Sequence, residues 1–309
     1  MIDKLILEYN ESLKKLEQIG IDSTELSTNF KDNNTFKKWF ENQSNLFFDY
    51  GKFEYKFPIL RNSPIISNLD LWRISSFGKQ FLSDLMPSNS LLHTVKLGRC
   101  NYPFNPVFYA NNSITGALFE VFKESFKPNE PKNIILSKWQ LKDEHDLALF
   151  SSKEKSKNED FNRLYLKFYN EVKNKFSTDD FEKLGDYLGE IFLNPDDYTG
   201  SAFLAQNFLY SPLPDYNSAI IFPSVRNTKS FNVAINRHIT DNPNRFVLIE
   251  AYDIEILEFI FDENGNGHHK YKCNNLLTTK DQCNLISEVV EFPDRIFENE
   301  IKEFDIVIN

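Results

Sequence analysis

Glycine is scarce in this 309-residue chain, 10 in all, and neither G-x-x-x-x-G-K nor G-x-G-x-x-G occurs. A phosphate-cradling P-loop and the usual dinucleotide-binding crossover both depend on such strings, so neither has support. Cysteine is scarcer still: Cys100, Cys273 and Cys283 are too few and too irregularly spaced for a disulfide framework. No stretch approaches the roughly 18 uncharged apolar residues of a membrane span. The opening Met1-Ile2-Asp3-Lys4 lacks the basic start and long apolar run of a signal peptide, so none is expected. Basic residues are outnumbered 45 to 35, giving a formal charge of −10. That argues against direct nucleic-acid binding or a polybasic membrane surface, while leaving room for a local basic pocket. Together these absences predict a soluble protein of a reducing, cytoplasmic compartment.

What the chain has instead is aromatic area, with 30 Phe, 13 Tyr and 3 Trp, enough for a sizeable core. Leu5, Ile6, Tyr9, Leu13 and Leu16 recur at helical spacing, and Phe36, Trp39, Phe40, Leu46 and Phe47 suggest a second amphipathic stretch. The period drops to two around Phe53–Phe57, then Asn62-Ser63-Pro64 breaks the chain, which places a boundary near residue 66. Beyond it, strands are expected at Val107–Ala110, Ile134–Leu136, Ala219–Phe222 and Phe246–Ile249. Helices are expected at 114–126, after an N-cap at Asn112-Ser113, and at 161–175, 179–192 and 201–209, with a charged loop over 151–160. A hairpin is expected from 255–261 to 268–272. Short strands among helices predict an α+β fold rather than a doubly wound parallel sheet.

Several chemical motifs fail on inspection. Asp262 to Gly267 matches the opening of an EF-hand loop, but the bidentate Glu required at the twelfth position is Cys273. His268 and His269 are adjacent, so on a strand they point to opposite faces, which makes a shared metal unattractive; no metal site is expected. No nucleophile elbow is present. Glu298-Asn299-Glu300 has the E-x-E spacing of arginine-specific transferases but lacks the preceding Ser-Thr-Ser strand.

Two phrases carry more. Gly98-Arg99-Cys100-Asn101 leads through a Pro-ruled loop to Val107-Phe108-Tyr109-Ala110, then to a helix with Glu120 among apolar neighbours. A carboxylate there needs a pocket or a cation, although periodicity alone favours a solvated edge beside Lys123. Later, Ile220-Ile221-Phe222-Pro223-Ser224-Val225 ends a strand at a proline and leaves Ser224 at the sheet edge, with Asn232 further on.

With Leu71-Trp72-Arg73-Ile74, Thr115-Gly116-Ala117-Leu118-Phe119-Glu120 and Gln206, this ordered set resembles the RES domain, the family of bacterial toxin–antitoxin toxins named for its Arg, Glu and Ser residues. The likeness spans about residues 67 to 250. It departs at Cys100, where the family often has an aromatic, and at Phe222, where it usually has Tyr; it also adds an N-terminal extension and a long insert around 140–195.

The resemblance implies an ADP-ribosyltransferase-like split β-sheet in residues 67–309, preceded by a helical extension over 1–66. It implies NAD as substrate rather than as a resident cofactor, with cleavage of its nicotinamide–ribose bond by hydrolysis or phosphorolysis. The catalytic set is then Glu120, Tyr109, Arg73 and Ser224, and NAD contacts fall to Arg73, Arg99, Tyr109, Ser224 and Asn232. An Xre-type antitoxin is the implied partner, with no direct nucleic acid and no membrane, and homodimerisation is left open. ADP-ribosyl transfer to a protein, or a non-catalytic interaction module on the same fold, are the alternatives.

Overall fold

The structure is a computed structural model. It describes residues 2–19, 59–76 except 68, 95–122 except 96, 132–209 except 196 and 197, and 218–261 except 228. It also describes the strand segments 267–280, 284–288 and 296–300, and residues 35, 38, 85 and 86. The amphipathic stretch expected around 36–47, the strand expected at 53–57 and most of the EF-hand-like loop fall outside the described residues.

In chain order the elements are α1 (Ile2–Ile19), β1 (Ile59–Ser63), β2 (Leu71–Ser76), β3 (Val107–Asn111), α2 (Ile114–Phe122), β4 (Lys132–Leu141) and β5 (His145–Leu149). Then come α3 (Glu159–Val172), α4 (Thr178–Leu193), α5 (Thr199–Leu209), β6 (Ala219–Pro223), β7 (Phe231–Asn236) and the short α6 (Arg237–Thr240). The long hairpin β8 (Phe246–Phe261) and β9 (Gly267–Lys280) follows, with β10 (Asn284–Glu288) and β11 (Ile296–Glu300) paired to β9. This is an α+β protein built on a mixed sheet of order β1-β5-β6-β7-β3-β2-β4-β8-β9-β10. Among the described strands every pairing is antiparallel except β5 with β6.

The helices start where capping chemistry allows. Asn158 accepts from the Phe161 N–H to open α3, and Ser177 accepts from the Asp180 N–H to open α4. Acidic residues fill both first turns, where they complement the helix dipole. The charged loop expected over 151–160 is in part a 3-10 turn at Lys153–Lys155, and α3 begins within it at Glu159.

Three strands run through the centre with both faces covered. Leu147, Leu149, Ala219, Ile221, Val233 and Ile235 share a core with Phe161, Tyr165 and Phe168 of α3. The alternate residues Ala148, Ile220, Phe222 and Ala234 join the opposite core, made with α4, α5 and α1. Burial on both faces explains why β6 reads as a continuous apolar run. It also explains why β5 and β7 escape a search for alternation.

α1 brings Ile2, Leu5, Tyr9 and Leu16 into that same core, and Lys183 of α4 pairs with Asp3. β1 adds an antiparallel edge to β5. The described parts of the expected 1–66 extension therefore share a core and a sheet with residues beyond 66.

One junction in the sheet is thin. β2 and β3 are joined by a single residue pair, Trp72 with Asn111, whereas β3 pairs with β7 over five residues and β2 with β4 over six. α2 lies over this seam. Its Ile114, Leu118, Phe119 and Phe122 pack with Ile134 and Leu136 of β4 and with Tyr252, Ile254 and Ile256 of β8.

Candidate functional site

Where the ladder between β2 and β3 gives out, a cleft of about 600 Å³ opens. That lies within the span of about 300–1,000 Å³ common to small-molecule sites. Its walls include Arg73 on β2, Tyr109 on β3, Glu120 on α2 and Asn232 on β7, with Arg99 and Arg226 from loops. Five residues singled out from sequence, Arg73, Arg99, Tyr109, Glu120 and Asn232, thus line one cavity. Ser224 stands behind it.

Glu120 is half-buried and held from one side. Ser224 Oγ donates to its Oε1 at 2.6 Å, and Asn232 Nδ2 donates to the same oxygen at 2.8 Å. Hydrogen bonds to an ionised group contribute about 1.5–3 kcal/mol each, enough to offset partial removal of the carboxylate from water. The solvated-edge alternative that periodicity favoured is therefore not what is observed.

Ser224 departs from its expected substrate contact. It is fully buried and absent from the cleft walls. Its hydroxyl proton goes to Glu120, and the oxygen accepts the Asn227 N–H at 3.0 Å. Pro223 is the last residue of β6, and Ser224 follows it directly.

Arg73 crosses the seam. Its guanidinium stacks on the Phe108 ring, 4.5 Å from the centroid, and Nη1 donates to the Tyr109 carbonyl at 3.4 Å. Nε is buried without a hydrogen-bond partner. Burial draws the group from its ordinary value down to about 10, which still leaves a cation at neutral pH. A partly buried guanidinium on a cleft wall suits an anionic ligand.

Arg99 is more committed. It donates to the carbonyls of Phe192 and Asn194 (the latter at 2.9 Å), closing the end of α4, and stacks on Tyr198 at 4.7 Å. Its loop is braced from behind. The Tyr109 hydroxyl accepts the Cys100 N–H at 2.6 Å and donates to Asn101 Oδ1 at 2.9 Å, while Gln206 Nε2 donates to the Cys100 carbonyl at 3.1 Å. Tyr109 thus lines the cleft and gives its hydroxyl to the loop. Burial pushes the Cys100 thiol well up, so it is an inert core group.

Sequence reasoning missed Arg226, Tyr198 and Asn111. Arg226 sits two residues past Ser224 in a turn where a charge is unremarkable, yet among the described residues it raises the cationic groups on the cleft walls to three against the single carboxylate of Glu120. Ser113 of the expected Asn112-Ser113 cap opens α2, its Oγ accepting the Gly116 N–H, while Asn111, the last residue of β3, bonds to Asn232. Among the described residues no helix is long and apolar enough to cross a membrane. No protein-family model matches the chain, and no curated protein sequence matches it either.

Proposed function

We propose that the cleft binds NAD and breaks its nicotinamide–ribose bond, with Glu120 stabilising the cationic ribose. The observation that carries this is a carboxylate tethered by Ser224 and Asn232 in the same 600 Å³ cavity as Arg73, Arg99 and Arg226. A ligand with a diphosphate and a developing positive centre matches that charge distribution. The thin β2–β3 junction is also compatible with the split sheet of the ADP-ribosyltransferase-like fold, which the likeness to RES toxins suggests.

The chemistry makes few demands. The C1′–N bond breaks with its electron pair going to the pyridinium nitrogen, so nicotinamide leaves neutral and no strong acid is required. Positive charge passes to the ribose, where a nearby carboxylate lowers the barrier. An acceptor oxygen then bonds to C1′ and gives up its proton. The diphosphate lies against guanidinium groups, and the Tyr109 ring flanks the ribose or nicotinamide. An Xre-type antitoxin as partner and a toxin–antitoxin or defence setting rest on the resemblance alone, and a cytoplasmic location on the scarcity of cysteine.

Incubating the purified protein with NAD and following free nicotinamide tests the proposal. Glu120→Gln is expected to lower release about a thousandfold while circular dichroism stays unchanged. Undiminished turnover by folded Glu120→Ala would remove Glu120 from the chemistry. The mass of the other product names the acceptor: ADP-ribose for water, its phosphorylated form for phosphate, a mass-shifted protein for transfer.

A further inference from the structure

Behind Glu120 the hydrogen bonds close into a circuit that is anchored by two backbone donors and one backbone carbonyl. The Ser113 N–H donates to Asn111 Oδ1 at 2.9 Å. A peptide N–H cannot be reversed, so the amide oxygen of Asn111 must lie on that side and its Nδ2 on the other. The two hydrogens of Nδ2 then go to Asn232 Oδ1 at 2.9 Å and Ser230 Oγ at 3.1 Å. With its oxygen occupied, Asn232 can present only Nδ2 to Glu120.

The second arm begins at the Asn227 N–H, which donates to Ser224 Oγ at 3.0 Å and sends the serine proton to Glu120. Ser230 Oγ accepts from Asn111 and donates to the Asn227 carbonyl at 3.2 Å, which joins the arms. Asn111, Ser224, Asn227, Ser230 and Asn232 are all buried. Both arms reach Oε1 as donors, and Oε2 takes no hydrogen bond from the described residues.

We propose that Asn111 and Ser230 are positioning residues for Glu120: acting through Asn232, Asn227 and Ser224, they make Oε1 an obligate acceptor and turn Oε2 toward the substrate. This rests on the NAD-cleaving reading of the cleft. Asn111→Asp keeps the size but replaces the donor with an oxygen. Asn232 must then turn over and face Glu120 with its own oxygen.

The expected result is a fall in kcat of about a hundredfold with KM for NAD held within about threefold, since a misdirected group costs the transition state and not binding. Ser230→Ala leaves the Asn111–Asn232 arm and should lose about tenfold. The circuit also has a signature that needs no turnover. In 15N-labelled protein, Glu120→Gln should shift the side-chain amide signals of Asn111, which has no hydrogen bond to Glu120. Signals of Asn111 that do not move, or a folded Asn111→Asp protein with normal kcat or with a raised KM alone, would overturn the proposal. If Asn111→Asp does not fold, Ser230→Ala and the amide signals decide. Should the signals move while the wild-type protein releases no nicotinamide, the positioning of Glu120 stands and NAD as substrate falls.

Discussion

The two sides of the β2–β3 seam are built differently. On one side β5, β6 and β7 are buried along their whole length between α3 and the α1–α4–α5 layer. On the other, β2 is partly exposed along most of its length, and α2 covers β4 and β8 from one face. The site draws on both. Ser224 and Asn232 come from the closed side, Arg73 from the open side, and Glu120 rides on a helix packed against the open side while bonding to the closed one. A rigid scaffold thus supplies the groups that aim the carboxylate, and a more accessible strand supplies a cation. Such an arrangement places precise geometry where packing enforces it and leaves an entrance where packing is thin.

The contrast can be broken most severely from the closed side. Phe150 is fully buried and meets Phe192 and Phe208 at 4.9 and 5.9 Å between ring centroids. Phe150→Ala should lose about 3–5 kcal/mol in urea denaturation. Ile249→Ser on the open side, at a residue 38% exposed, should change stability by no more than about 0.5 kcal/mol. Equal losses would mean that the two sides are not packed differently.

Gly116→Ala strikes the seam itself. A Cβ there would lie 2.1 Å from Asn111 Oδ1 and 2.4 Å from Ser230 Oγ, so the first turn of α2 or the polar circuit must give way. About 1–3 kcal/mol should be lost. Release of nicotinamide should fall with it; a protein unaffected in both respects would show that the turn has slack.

The smallest effect on stability is expected at Arg73. Its folded-state pKa, about 10, lies below its ordinary value of 12.5, so its charge costs stability at every pH below about 10. That cost is relieved as pH rises from there toward 12.5. Arg73→Met removes the charge while keeping bulk over Phe108, and the melting midpoint at pH 7 should hold steady or rise. Protection by inorganic diphosphate, expected for the wild-type protein, should vanish. A lower midpoint would show that the stack on Phe108 and the bond to Tyr109 outweigh the desolvation.

Much of this was legible in the sequence, for stated reasons. α4 and α5 announce themselves by helical periodicity, β6 by its apolar run, and the RES-like phrases pick out five residues that line one cleft. β5 and β7 are harder. His145–Leu149 follows the charged Lys142-Asp143-Glu144, and Phe231–Asn236 contains two asparagines, Asn232 and Asn236; both strands are buried on two faces, which erases alternation. The placement of Ser224 behind the cleft wall is not legible, because a serine after a strand-ending proline gives no hint of which side of the carboxylate it approaches. Asn111 and Ser230 lie 119 residues apart in the chain, and nothing local to either shows that they meet.

The single pair between β2 and β3 also has a mechanical side. Tyr109 offers a carbonyl that a longer ladder would have used, and a side chain from the neighbouring strand takes it. Two polar ties across the gap, Arg73 to Tyr109 and Glu120 to Ser224 and Asn232, each include a side chain assigned to binding or chemistry. Part of the resistance of one half to twisting against the other therefore comes from polar contacts made by cleft residues, beside the apolar packing of α2. An occupant of the gap would act as a splint, and its tightness of fit could be followed as stiffness of the joint as readily as by turnover.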